Sequence, residues 1–146
     1  MKLTSISIIT DPEQGTTERA YLNPDLVAMI GRESSFTARV HLLSGNNFLI
    51  ESKSLSRVAK LDIAGEPEPD SGWFAGEAIL DKSYNMVYFN VYRIDGFIVG
   101  KIYVTILFGQ LKIQLYLSDE SKMALKALGE KLSIPRFSSA QSQDGQ

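Results

Sequence analysis

Across residues 86–117 the apolar and polar positions alternate. Val87, Phe89 and Val91 are interleaved with Tyr88, Asn90 and Tyr92, the period of two that sends successive side chains to opposite faces of a β-strand. A second run sets Ile102, Val104, Ile106 and Phe108 against Lys101, Tyr103 and Thr105, and a third sets Leu111, Ile113, Leu115 and Leu117 against Lys112, Gln114 and Tyr116. Paired as a meander, the three runs place their apolar side chains on one face and collect four tyrosines on the other. Asp95-Gly96 and Gly109-Gln110 fall between the runs and supply the glycine that tight turns use for positive φ.

Helical spacing follows. Ser118 can cap the free amides of a helix start, and Asp119 and Glu120 suit the positive end of its dipole. From Asp119 onward, Leu125, Leu128 and Leu132 form one apolar stripe flanked by Met123, Ala124 and Ala127. This predicts a helix whose stripe lies on the apolar face of the sheet and which stops at Pro135, a residue without a backbone donor. Residues 136–146 are polar, with no apolar anchor, and read as a disordered tail.

The first half has a similar grammar. A strand over residues 3–9 and a polar loop lead to Tyr21-Leu22 and the turn Asn23-Pro24-Asp25; Leu26 to Ile30 is again strand-like. Residues 37–43 and 48–51 flank Ser44-Gly45-Asn46-Asn47, a hairpin signal, and 52–63 carry Leu55, Val58 and Ala59 at helical spacing. The proline- and acid-rich segment 64–72 breaks the periodicity as a linker does, and 73–80 opens the second half as another strand. The expected class is α+β: two strand-rich halves, each of antiparallel strands followed by one helix. Their boundaries are 1–63, a 64–72 linker, 73–135 and a 136–146 tail. Residues 38–61 and 102–128 both read hairpin then helix. A structural repeat would explain this, but the two stretches share little residue identity and small strand-rich domains commonly end in a helix, which is the favoured reading; both predict the same α+β class.

Composition narrows the function classes. A chain of 146 residues can bury roughly 70% of its unfolded surface, enough for a true core. Net charge is −2, with 15 basic and 17 acidic residues, so no global basic field advertises nucleic acid or an anionic membrane. Locally, 86–117 carries Arg93, Lys101 and Lys112 against Asp95 alone, which leaves the rest of the chain more acidic. There are no cysteines, which excludes disulfides and thiolate chemistry and fits a cytoplasmic address. The run 3–9 is interrupted by Ser and Thr and is too short for a secretory signal, and no apolar run approaches the length of about 20 residues that spans a bilayer. No membrane association is expected.

Residues that carry acid–base or nucleophilic chemistry are scarce. The single histidine, His41, sits in the alternating stretch Arg39-Val40-His41-Leu42 and reads as a strand residue. Glu66, Glu68 and Asp70 are closely spaced acids, but their proline-rich setting lacks the ligand pattern of a calcium loop, and Gly96 and Gly100 lack the strand-to-helix context and lysine of a phosphate loop. We therefore expect a non-enzymatic protein without catalytic residues, metal ligands or cofactor. The working surface expected from the pattern is the polar face: Tyr88, Asn90, Tyr92, Lys101, Tyr103, Lys112, Gln114 and Tyr116. On it, tyrosines would stack single-stranded bases, Lys101, Lys112 and Arg93 would follow phosphates, and Asn90 and Gln114 would meet base edges. The same face serves equally as a homo-oligomer or protein contact, because tyrosine suits both strands and interfaces.

Residues 101–132, with lysine and tyrosine outward and Leu115-Tyr116-Leu117-Ser118-Asp119-Glu120 entering a helix, resemble the single-stranded DNA-binding fold of the transcriptional coactivator p15, whirly and Pur-alpha proteins. That resemblance implies a curved sheet followed by a helix, often duplicated or dimeric, with nucleic acid on the sheet over Tyr88, Lys101, Tyr103, Lys112 and Tyr116. The chain departs from those families in its acidic balance. Tyr21-Leu22-Asn23-Pro24-Asp25-Leu26, with Ser44-Gly45-Asn46-Asn47-Phe48 and Ser54-Leu55-Ser56-Arg57-Val58, is similar to small flagellar FlbD-type proteins. This second likeness also implies a non-enzymatic module.

Overall fold

The computed structural model describes residues 2–79 and 83–133. The expected disordered tail, the stop at Pro135 and the end of the strand at Leu80 lie outside them. Within the first part, β1 (Thr4–Asp11) and β2 (Thr16–Leu22) form a hairpin, and β3 (Val27–Arg32), β4 (Thr37–Leu42) and β5 (Asn47–Glu51) form a meander. A 3-10 turn at Ser52–Ser54 leads into the single helical turn α1 (Leu55–Val58). The helical run expected over 52–63 is thus short, although Leu55, Val58 and Ala59 are all buried as the spacing requires. Next come β6 (Trp73–Glu77), β7 (Met86–Asn90), β8 (Gly96–Val99), β9 (Val104–Phe108), β10 (Leu111–Leu115) and α2 (Asp119–Ser133).

The strands form a seven-stranded sheet in the order β2-β1-β5-β4-β3-β7-β6 and a three-stranded sheet in the order β10-β9-β8, with antiparallel pairings throughout. The architecture is α+β, but the division differs from two halves with a sheet each. β6 and β7 follow the 64–72 segment, yet they complete the sheet begun by β1 to β5 through the β3–β7 ladder Met29↔Phe89 to Arg32↔Met86. The 64–72 segment is itself held in place. The Asp62 carboxylate accepts from the amides of Ala64 and Glu66 at 2.9 and 3.0 Å, and the Glu68 amide donates to the Lys60 carbonyl at 3.1 Å.

β3 and β7 therefore sit at the middle of the molecule, with a core on each side. One core gathers Ile6, Val27, Ile30, Val40, Ile50, Leu55, Val58, Trp73 and Tyr88; the other gathers Ala28, Met29, Val87, Phe89, Val104, Ile106, Phe108, Leu115, Leu117 and Leu125. Ala28 and Met29, adjacent in sequence, share the second core because β3 slips register between Val27 and Met29, a bulge that repeats one facing. The small sheet lies over the second core with Phe97, Val104, Ile106, Phe108 and Leu115 inward. The expected hairpin at Gly109 is present, with that glycine at φ 59°.

α2 docks at its start. Ser118 Oγ accepts from the Ser121 amide at 3.2 Å, the cap expected from the sequence. The Ser118 amide donates to the Glu77 carbonyl and the Glu77 amide donates to Ser121 Oγ, which ties the helix to the end of β6. Of the expected stripe, Leu125 is fully buried, Leu128 is half-buried and Leu132 and Met123 are exposed.

Candidate functional site

The structure distributes the expected polar face over three places. Tyr88 and Asn90 alternate with Val87 and Phe89 as the period of two requires, but β7 is covered on both sides, so neither reaches the surface: they are 4% and 1% exposed. Burial raises the Tyr88 phenol above its ordinary pKa, and the neighbouring Arg32 side chain acts in the opposite sense. The Asn90 Oδ1 accepts from the Tyr92 amide at 3.0 Å and shapes the turn that ends β7. Tyr92 lies beyond that turn against Gly72 and lines a cleft of about 560 Å³ between the 67–72 loop and α2, together with Pro67, Pro69, Trp73 and Leu128. Arg93 is drawn away to Asp25, its Nη2 2.6 Å from Oδ1.

The remaining residues stay together on the outer face of the three-stranded sheet. The registers Ile98↔Thr105↔Gln114 and Gly96↔Leu107↔Lys112 put these side chains outward, opposite the buried Val104, Ile106, Phe108 and Leu115. Tyr103 and Tyr116 continue the same parity at the ends of β9 and β10, their rings edge to face with centroids 5.8 Å apart. On this face Ile98 is 56% exposed and Tyr116 38%, while Ile102, of the opposite parity, is 68% exposed in the β8–β9 turn. Lys101 lies in the β8–β9 turn, where its carbonyl accepts from Lys122 Nζ at 2.9 Å, a bond that fixes the turn against α2. No outward position of β8, β9 or β10 carries a carboxylate.

Sequence spacing gave no sign of the pairing of His41 with Tyr84. The His41 Nε2 and the Tyr84 hydroxyl are 2.7 Å apart, with Tyr84 lying across β3 at Gly31 to reach β4. Burial first, and then the charge of Arg39, lower the His41 pKa to about 4 from 6.5. The imidazole is thus neutral at pH 7. Because the folded pKa lies below the unfolded one, the stability that His41 contributes is complete above about pH 6.5 and is lost as pH falls toward 4. His41→Gln should flatten that part of the stability-versus-pH curve. The part removed should be of order 1–2 kcal/mol, given that the ring is partly solvent-screened. Urea unfolding of both proteins at pH 7 and pH 4.5 measures the difference; equal pH dependence would disprove the coupling.

Among the described residues no group of three or more acidic or histidine side chains is arranged to hold a metal ion, and no helix is long and apolar enough to cross a membrane. Comparison with known protein families, curated proteins and solved structures yields no match.

Proposed function

We propose that the chain is a non-enzymatic binding module that self-associates through the outer face of its three-stranded sheet, in a cytoplasmic setting. The supporting observation is the exposed Ile98 and Tyr116 beside Tyr103, Leu107, Lys112 and Gln114 on a sheet whose opposite face packs on the core. A surface of aromatic, aliphatic and amide groups with few charges has the composition of an interface centre. Two copies face to face would cover the apolar side chains and leave Lys112 at the rim.

The test uses outward positions, so that the fold is spared. Light scattering after gel filtration should give a dimer for the wild type and a monomer for Ile98→Glu/Tyr116→Glu, with thermal unfolding of the variant little changed. A wild-type monomer at all concentrations would refute self-association.

A second reading, single-stranded nucleic-acid binding, draws on the Tyr103–Tyr116 pair, Lys101 and Lys112, the missing outward carboxylate and the resemblance to the p15 coactivator group. Two tyrosines are fewer than the four first expected, and their mutual contact leaves less ring surface for bases. Fluorescence anisotropy with labelled single-stranded DNA at low and high salt separates the two readings, because phosphate contacts must weaken as salt rises.

A further inference from the structure

At the far end of the large sheet from the three-stranded one, the ladder of β1 with β2 sets Ser7 opposite Arg19 and Ile9 opposite Thr17. β1 pairs with β5 only at Ile8↔Ile50. Beyond that point its edge is taken by the segment after β5: the Ser7 amide donates to Ser54 Oγ at 3.1 Å, and Arg57 Nη1 donates to the Ser5 carbonyl at 3.0 Å. Strand pairing has been exchanged for side-chain contacts, and the exchange brings Lys53 and Arg57 over the strand beside Arg19. The result is a cavity of about 250 Å³ lined by Ser5, Ser7, Thr17, Ser54 and these three cations.

The charges in this cavity do not cancel. Glu51 is the carboxylate at its margin, and it accepts from the Ser7 hydroxyl and lies 3.5 Å from Lys53. The Arg19 side chain makes no hydrogen bond or ion pair among the described residues. Arg57 spends one nitrogen on Ser5 and has further donors in its planar fork. A protein with net charge −2 thus concentrates three cations and four hydroxyls around one concavity. Such a set matches a phosphate group, which takes forked guanidinium donors, a point-charge ammonium and hydroxyl donors on its oxygens.

We propose that this cavity binds a phosphate group, free or esterified, with Arg19 as the principal ligand, Arg57 and Lys53 completing the charge match, and Thr17 donating from β2. The site is independent of the self-association face.

The experiment is an NMR titration of the ¹⁵N-labelled full chain at pH 7, with sodium chloride adjusted to hold ionic strength constant. The probes are inorganic phosphate and glycerol phosphate, which distinguish a free anion from an esterified one. Saturable shifts at the amides of Ser5, Ser7, Thr17, Arg19, Lys53 and Ser54 are expected. Arg19→Gln should raise the Kd by about 10-fold, the loss of one charge-assisted contact. Because Arg19 holds no other side chain, that variant should keep the wild-type spectrum elsewhere, and Lys112→Gln should bind normally. Shifts that grow linearly without saturation, or identical Kd values for wild type and Arg19→Gln, would overturn the assignment. Saturable binding of both probes, or of one alone, identifies whether the site takes the free anion, the ester or either.

Discussion

Phe89→Ala is expected to destabilise the protein by about 3–5 kcal/mol, a large part of the 5–15 kcal/mol that holds a typical domain together. Phe89 is fully buried at the centre of β7, with its ring 5.3 Å from Phe74 and 6.4 Å from Phe97 by centroid. Through Phe97, which packs beneath Gly129, the ring links the large sheet to β8 and α2. Met29 faces Phe89 across the β3–β7 ladder and shares its core, and whatever space it does not fill adds a cavity term to the lost transfer energy. Urea unfolding followed by Trp73 fluorescence and by circular dichroism provides the measurement. Trp73 is the single tryptophan and lies in the first core, whereas Phe89 faces the second. A midpoint lowered equally for both probes means that the cores melt as one unit. A loss below about 1 kcal/mol would mean that the two sheets are not packed tightly on each other.

Gly31→Ala should cost about 1–3 kcal/mol by overpacking, toward the upper end because the obstacle is a ring rather than a flexible chain. A Cβ at this buried position of β3 would lie 2.5 Å from three atoms of the Tyr84 ring. Tyr84 cannot retreat without giving up its 2.7 Å contact with His41. The cost therefore belongs to the pair, and a double-mutant cycle isolates it: in a Tyr84→Ala background, Gly31→Ala should lose most of its effect. If both backgrounds respond alike, the strain lies in the β3 backbone and not in the ring that crosses it.

The elements were largely legible along the chain, because each rests on local chemistry. The hairpins at Ser44–Asn47 and Gly109, the cap at Ser118 and the start of α2 at Asp119 depend on turn dihedrals, on a side chain reaching its own helix and on spacing within one segment. α1 is shorter than its spacing suggests: Leu55, Val58 and Ala59 fit a longer helix equally well, but the chain leaves the helix after Val58 at Ala59, and Lys60 takes a φ of 52°. The candidate surface was legible only in part. Tyr103, Lys112, Gln114 and Tyr116 alternate as the surface face of β9 and β10, whereas Tyr88 and Asn90 obey the same alternation and are buried.

That contrast marks the limit of a sequence pattern here. Periodicity, capping and turn residues determined most of the strands, the long helix and which side chains share a face, because these follow from the geometry of a chain with its near neighbours; β2, most of which reads as a polar loop, and β8, which reads as a turn, take their strand form from the partners they pair with. Strand order belonged to the tertiary structure alone. β7 pairs with β3, about sixty residues earlier in the chain, rather than with β8, and it is sandwiched between two cores. A period of two says that two faces differ, but it does not say whether water or another layer of side chains meets the second one. A different long-range pairing, that of β1 with β5, sets Arg19 on β2 beside Lys53 and Arg57 from the segment after β5, a juxtaposition that no local spacing encodes.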